Sequence, residues 1–409
     1  MKPHYVIVGA SAAGVGAAFA LRQNGFDGDV TLVSAEQCLP YERPAVSKDL
    51  LLTGQAPLIV PEATYTEQRI DLRLNRKVEK LDVRRSTVVL DGGKELRADK
   101  ILLATGGRVR RLQIPGGDLH QVHYVRDAGD AETIREGLKP GARVTVIGGG
   151  LIGAEVTACA IRCGCEVDWI ESGDRCLTRA LSHPLDQAIA NIHQEQGVRI
   201  HTKALVTQMT GDHRTVVVEL SDGRRFEADM VLVGVGIVPA VDLAHAAGAV
   251  VDNGIVVDGY GATSLANVYA AGDVARHQTR YMSGPGRLEH WRYAHDHGVS
   301  TARSMLGLGK PYDELPWFWT DQYEHHVEGC GLSSARDETV IRGDLASGRA
   351  TVFYVRDGRL AAASTLNRPN DVRAAMRLIA RGLSPSIDAL RDPGTDLRKL
   401  EKELAHEAA

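Results

Sequence analysis

Val144-Thr145-Val146-Ile147, then Gly148-Gly149-Gly150-Leu151-Ile152-Gly153, then Ala154 to Cys163, then Val167-Asp168-Trp169-Ile170-Glu171: this stretch decides the fold. A short run rich in β-branched residues reads as a buried strand, and the glycines end it in a tight turn. Ala154 to Cys163 reads as a helix and Val167 to Ile170 as a second strand. Gly148 permits the turn, Gly150 lets the backbone approach a pyrophosphate, and Gly153 lets helix and strand pack closely. The helix N-terminus offers free N–H groups and the positive end of its dipole to the phosphates. Glu171 ends the second strand at the distance expected of a carboxylate that binds a ribose 2′-OH and repels a 2′-phosphate. The residues therefore describe a site for NADH rather than NADPH. Arg175 lies nearby, but Glu171 and Asp174 work against a phosphate.

The same unit occurs earlier in the chain. Tyr5-Val6-Ile7-Val8 leads into Gly9-Ala10-Ser11-Ala12-Ala13-Gly14, a helical Val15 to Asn24, and a strand Val30-Thr31-Leu32-Val33. Here Ser11 replaces the middle glycine, which keeps close approach with some crowding. The position matching Glu171 is Ser34, and the nearest carboxylate is Glu36, two residues on. One glycine turn is a weak signal. Two turns, each after a strand and before a helix, predict two dinucleotide sites.

Two nicotinamide sites in one chain make little chemical sense. Three more segments bear on the first nucleotide. Ile101-Leu102-Leu103-Ala104-Thr105-Gly106 is an apolar strand ending in Ala-Thr-Gly. Val231 to Pro239, with Gly234 and Gly236, is its partner after the second unit. Val268-Tyr269-Ala270-Ala271-Gly272-Asp273 delivers Gly-Asp to a helix start, where Asp273 is placed for a ribityl chain. Together, and in this order, they resemble the two-dinucleotide-binding-domain flavoproteins of the glutathione reductase type. The resemblance implies an α/β fold with two Rossmann-like domains, one for FAD and one for NAD(P), plus a C-terminal α+β domain. The expected divisions are 1–108 with 240–315 for FAD, 109–239 for NAD, and 316–409 for the C-terminal domain.

Disulfide reductases of that family need a cysteine pair beside the flavin, and none of the six cysteines makes a C-x-x-C pair. Cys38, just before Leu39-Pro40-Tyr41, resembles the single redox cysteine of coenzyme A disulfide reductases and NADH peroxidases. The glycine that usually follows such a cysteine is missing, and ordinary packing is the simpler reading of Cys38. Tyr41-Glu42-Arg43-Pro44, Ser47-Lys48, Glu155, Val125-Arg126, Arg287-Leu288-Glu289-His290-Trp291 and Pro316-Trp317-Phe318-Trp319-Thr320-Asp321-Gln322 point elsewhere. They resemble the oxygenase-coupled NADH–ferredoxin reductases, over almost the whole chain. That group includes putidaredoxin reductase and the reductases of biphenyl-type dioxygenases.

The resemblance implies that Lys48 and Glu155 form an ion pair beside the isoalloxazine. It implies that Arg43, Arg126, Asp273 and Trp291 contact FAD and that Glu289 lies near the nicotinamide. It extends the cofactor-binding set to Ala12, Ala13, Ala35, Glu36, Val78, Gly236, Gly272 and His290, beside the two glycine turns and Ala104-Thr105-Gly106. It implies electron transfer from NADH through FAD to a [2Fe–2S] ferredoxin that serves a Rieske dioxygenase or a cytochrome P-450. The flavin carries that chemistry, so no side-chain nucleophile is expected. The competing readings are an NADH oxidase or coenzyme A disulfide reductase using Cys38, and a redox-sensing flavoprotein that does not turn over.

The last ninety residues change pattern. Thr339 to Gly343, Ala350 to Tyr354 and Leu360 to Ser364 read as strands, with Asp357-Gly358 as a hairpin turn. Val372 to Arg381 reads as a helix with Arg373, Arg377 and Arg381 on one face. A basic face could steer an acidic ferredoxin; the plainer reading is a solvated helix face.

Bulk properties fit a soluble enzyme. The 409 residues are 44% hydrophobic and 24% charged, with a formal net charge of −4, which gives no pull towards nucleic acid or anionic membrane. No apolar run reaches the ~18–20 residues of a membrane span. The apolar start Val6 to Leu21 resembles a secretory signal, but cleavage there would destroy the first glycine turn. Without a disulfide framework, the cytoplasm is the expected compartment. Cys159, Cys163 and Cys165, and His290, His295, His297, His325 and His326, match no complete metal-ligand spacing, so no metal is expected.

Overall fold

The computed structural model describes residues 2–407. The chain divides into two compact units. The first holds the residues up to Pro44, Ala56–Arg108 and Ile237–Pro316. The second holds Ala45–Gln55, Val109–Gly236 and the chain from Trp317 onward.

In the first unit, five parallel strands lie side by side in the order Val268–Ala270, Lys100–Leu103, His4–Val8, Asp29–Val33, Ile70–Arg73. The central strand pairs Val6 with Thr31 on one side and with Ile101 on the other. Val6, Ile7, Leu32, Leu102 and Leu103 are wholly buried, as expected of a parallel sheet covered on both faces. The helix Ala12–Gln23 packs on this sheet with Ala17, Ala18, Ala20 and Leu21 inward. Its small side chains also let it lie close to the helix Trp291–Met305, where Gly298 leaves no room for a Cβ against the Ala13 backbone.

The second unit repeats the plan. Its sheet runs Arg199–His201, Glu166–Ile170, Arg143–Ile147, Met230–Val233, Val122–Tyr124, all parallel. Each unit also inserts a three-stranded antiparallel meander: Val78–Asp82, Thr87–Leu90 and Glu95–Arg97 between Ile70–Arg73 and Lys100–Leu103 in the first, and Val206–Gly211, Val216–Leu220 and Arg225–Ala228 between Arg199–His201 and Met230–Val233 in the second. The fifth strand differs in origin. In the second unit it precedes the glycine turn; in the first it comes from beyond residue 260.

Both helices after the glycine turns begin three residues earlier than the periodicity predicts, at Ala12 and Leu151 rather than Val15 and Ala154. Gly14 and Gly153 are therefore in the first helical turn. A Cβ on either would lie 1.8 Å from the Gly9 carbonyl oxygen or 2.0 Å from that of Gly148. Hydrophobic periodicity does not register such residues, because their role is contact without a side chain.

From Trp317 the second unit adds an antiparallel sheet ordered Trp317–Gln322, His325–Gly331, Arg359–Leu366, Arg349–Arg356, Glu338–Asp344. Asp357 and Gly358 both have positive φ, 51° and 73°, as a two-residue type I′ hairpin turn demands. The helix Pro369–Arg381 covers this sheet through Val372, Ala375 and Leu378, all buried. No helix among the described residues is long and apolar enough to cross a membrane.

Candidate functional site

At the second glycine turn the Gly148 N–H donates to the Ile170 carbonyl at 2.9 Å, and its φ is +113°. A Cβ there would sit 2.5 Å from the Gly234 carbonyl oxygen. A Cβ on Gly150 would meet nothing within 4 Å, so this face of the turn is open. Gly150 caps the helix Leu151–Arg162 without a side-chain hydrogen bond, and the first turn has no acidic residue. Its leading N–H groups are thus clear of capping side chains, and the helix places no acid of its own there, which suits a pyrophosphate. Leu151 and Ile152 open the helix, with Ile152 exposed. Glu171 curls back on the turn: Oε2 accepts the Gly149 N–H at 2.6 Å and Oε1 the Gly173 N–H at 2.5 Å. Arg175 is held at 2.8 Å by the buried carboxylate of Asp186. Gly236, with φ +95°, follows the neighbouring strand.

The first turn repeats the backbone with different side chains. The Gly9 N–H donates to the Val33 carbonyl at 2.8 Å, φ is +107°, and a Cβ would lie 2.2 Å from the Ala104 carbonyl oxygen. Ser11 precedes the helix Ala12–Gln23 and makes no capping bond; its Oγ instead accepts a long hydrogen bond from Arg43 Nε at 3.5 Å. Again the first turn carries no acidic residue. Arg43 forms an ion pair with Glu36, and the Tyr41 hydroxyl donates to the other Glu36 oxygen at 2.8 Å. Ala35 is exposed, whereas the Val78 side chain is buried in the core with Val6, Val8 and Val33. Ala104 N–H continues the sheet to the Val8 carbonyl, Thr105 Oγ1 donates to the Ala240 carbonyl at 2.9 Å, and Gly106 has φ +60°.

Gly272, φ +77°, packs on the start of the first helix, where a Cβ would be 2.9 Å from that of Ala13. Its N–H donates to His297 Nδ1 at 3.3 Å. Burial, together with the neighbouring His277, holds His297 well below the usual imidazole range, so it stays neutral and able to accept. Arg287 joins two expected site residues: it donates to the Asp273 carbonyl at 2.7 Å and pairs with Glu289 at 2.7 Å. His290 caps the helix that Trp291 begins, and burial pushes its pKa down to about 4. Sequence reasoning missed Arg287 and His297 as positioning groups. The signal for His297 was its place three residues after Ala294 and four before Thr301, on the buried helix face; a polar group there needs a partner.

In the second unit Lys48 and Glu155 do pair, at 3.2 Å. Glu155 is buried on the helix after the second glycine turn, and both its oxygens are occupied. Ser47 Oγ donates to Oε2 at 2.5 Å and Thr320 Oγ1 to Oε1 at 2.6 Å. The Lys48 ammonium also reaches Asp321 Oδ2 at 3.3 Å and lies 5.7 Å from the centre of the Trp319 ring. Burial would lower the Lys48 pKa, but Glu155 and Asp321 outweigh it and raise it. Burial pushes the Glu155 carboxyl up, against Lys48 and the two hydroxyls. Removing one partner of such a pair strands a buried charge, at a cost of about 3–5 kcal/mol. Arg126 stands at the start of the helix Ala128–Gly137, its N–H accepted by Asp130 at 2.9 Å. Ser47, Thr320 and Asp321 were quoted in the motifs, but their roles only appear once strand and helix meet.

Two expectations are corrected. Cys38 is exposed rather than packed in a core; it sits in the loop after Asp29–Val33. The arginine face of the C-terminal helix is not simply solvated. Arg377 and Arg381 each pair at 2.8 Å with Glu401 of the helix Leu397–Glu407, a carboxylate that is itself buried. Only Arg373 of the three carries no such partner in that helix.

Comparison with known proteins bears on the whole chain. The profile of the pyridine nucleotide-disulphide oxidoreductase family matches residues 3–298, and that of the reductase C-terminal domain matches 317–401. A ferredoxin–NAD(P)+ reductase from a Sphingomonas species is 38% identical over 399 residues, covering 96% of this chain and 95% of the relative. The ferredoxin–NAD+ reductase component of the anthranilate 1,2-dioxygenase system of Burkholderia cepacia is 40% identical over 398 residues, covering 96% and 98%. The covalent putidaredoxin reductase–putidaredoxin complex superposes with a TM-score of 0.92 at 34% identity, covering 99% of each chain.

Proposed function

This chain belongs to the pyridine nucleotide-disulphide oxidoreductase family, and we propose that it is an FAD-dependent NADH:ferredoxin oxidoreductase. Its acceptor is a [2Fe–2S] ferredoxin that serves a Rieske dioxygenase or a cytochrome P-450. The observation that carries this reading is the duplicated glycine turn, complete with Glu171 in its second copy, in a chain aligned end to end with ferredoxin reductases of oxygenase systems. The overall balance is one NADH and two oxidised ferredoxins giving NAD+, two reduced ferredoxins and one proton.

FAD, when bound, accepts hydride and releases electrons one at a time. The FAD-binding domain, assigned to 1–108 and 240–315, would hold it. There the capless N-terminus at Ser11, Ala12 and Ala13 faces phosphate, and Glu36 with Arg43 flanks it. The Gly272-Asp273 turn is fixed by Arg287 and His297, and Asp273 is assigned to the ribityl hydroxyls. Residues 109–239 would hold NADH. Gly150 admits the pyrophosphate, and Glu171, locked by two backbone N–H groups, meets the ribose without reorganising. Residues 316–409 form the third domain. Lys48 and Glu155 are assigned to electrostatic support of the flavin, Trp291 and His290 to cofactor contact, and Glu289 to the nicotinamide. The compartment is the cytoplasm.

The test is direct. Purified protein should be yellow, its flavin should bleach with NADH at a far lower concentration than with NADPH, and it should reduce [2Fe–2S] ferredoxins at steady state. Colourless protein overturns the reading. A preference for NADPH overturns the use made of Glu171.

A further inference from the structure

The ion pair between Lys48 and Glu155 does not end there. Glu155 is fixed by Ser47 and Thr320, so its position is set by buried hydroxyls. The other partner of Lys48, Asp321, is nearly half exposed on the strand Trp317–Gln322. What holds Asp321 is His326, across the hairpin in register with it. Asp321 Oδ1 accepts from His326 Nδ1 at 2.5 Å, while its Oδ2 faces Lys48. On the far side of the ring, Nε2 lies 3.7 Å from Glu328 Oε1. Glu328 is buried, and its second oxygen has no hydrogen-bond partner among the described residues.

The five groups therefore alternate in charge: Glu155, Lys48, Asp321, His326, Glu328. The groups that face His326 are Asp321 from the preceding strand and Glu328 from its own, with Lys48 beyond Asp321. The next strand, Arg359–Leu366, brings Leu366 opposite Val327, and the following Asn367 accepts the His326 backbone N–H at 2.8 Å. Neither is titratable. A protonated imidazole between two carboxylates is the arrangement this geometry favours. A neutral one can keep its Nδ1–H bond to Asp321 but withdraws its charge, so the Asp321 carboxylate bears more strongly on Lys48.

We propose that His326 is a positioning residue for Lys48, acting through Asp321, so that its protonation sets the charge balance around the ammonium. The inference rests on the reading of Lys48 and Glu155 as the pair beside the flavin. Hydride arrival adds negative charge, and a positive charge held nearby favours it. Loss of the His326 proton removes one such charge from the string.

Two measurements test this on the flavin-loaded protein. The first is an NMR titration of histidine-labelled protein. His326 should titrate near pH 9, since the Asp321 hydrogen bond and Glu328 push it up to about 9. Coupling between sites is reciprocal, so Lys48→Met should move that midpoint further up. Asp321→Asn, which leaves Lys48 and Glu155 paired, should move it down towards an ordinary imidazole. A midpoint at the ordinary value, or one indifferent to both substitutions, overturns the proposal. The second is the rate of flavin reduction by NADH against pH. The wild type should slow about threefold as pH passes 9, the size expected for a half-exposed ionic contact. His326→Gln should be slow throughout and lack the inflection, and His326→Lys should restore the fast rate to higher pH. An unchanged profile in His326→Gln overturns the proposal. Wild-type protein that binds no flavin, or whose flavin NADH does not bleach, overturns the site reading itself; success there with failure in the histidine tests overturns only the role of His326.

Discussion

At the first glycine turn the carboxylate after the second strand, Glu36, is held by two side chains, Arg43 and Tyr41. At the second turn the carboxylate sits two positions earlier, directly after the strand, and this Glu171 is held by the backbone N–H groups of Gly149 and Gly173. The glycine backbones are otherwise alike: φ is +107° at Gly9 and +113° at Gly148, and each carbonyl closes on a later glycine at 2 Å or less from where a Cβ would stand. A shared backbone thus carries two solutions for the ribose end. One is built from backbone N–H groups, one inside the turn and one two residues past the carboxylate. The other needs an arginine seven residues further along the chain.

The contrast can be broken most severely at its common part. Gly153→Val should abolish NADH binding while leaving the yellow colour, and Gly14→Val should give protein without FAD. Each puts a branched side chain into a carbonyl oxygen inside a helical turn, so a loss of at least about 100-fold is expected, read by flavin absorbance and NADH titration. Glu171→Ala comes next. Loss of a charged acceptor for the ribose hydroxyls should raise the KM for NADH about tenfold and narrow the preference over NADPH; an unaltered ratio of the two KM values would remove Glu171 from the site. Arg43→Ala, which leaves Glu36 held by Tyr41 without its ion pair, should weaken FAD about fivefold, measured by fluorescence on release of the cofactor. Ser11→Gly converts the first turn towards the second and should change FAD affinity by less than about twofold, because the hydroxyl makes only a long contact with Arg43. The smallest effect is expected from Cys38→Ser: full ferredoxin-dependent activity, since Cys38 is exposed. A collapse of activity there would instead favour a thiol mechanism.

What could be read from the chain follows the same divide. Strands, glycine turns, helix faces and the Asp357-Gly358 hairpin are consequences of residues close in sequence, and the structure has them within a few residues of expectation. The early helix starts escaped because Gly14 and Gly153 act by lacking a side chain. The pairing of Lys48 with Glu155 was legible only by resemblance, since over a hundred positions separate them. The further partners, Asp321 and His326, were legible as letters in a motif and a histidine pair, not as a charge string. Their meeting depends on the register of the hairpin Trp317–Gly331, which no local pattern states. Likewise the arginine row was found by helical spacing, but its carboxylate partner Glu401 lies in a different helix.

The unequal origin of the fifth strands has a consequence for synthesis. Every strand of the second parallel sheet has left the ribosome by Val233, whereas the first sheet waits for Val268–Ala270 to cover its edge strand Lys100–Leu103. The sheet begun earlier is finished later, and its long loop closure is of the kind that slows folding. Until then the nascent chain carries an open, apolar edge, Ile101-Leu102-Leu103, of the kind that pairs with other chains. During translation, the half of the molecule that starts first is therefore the one most in need of a chaperone.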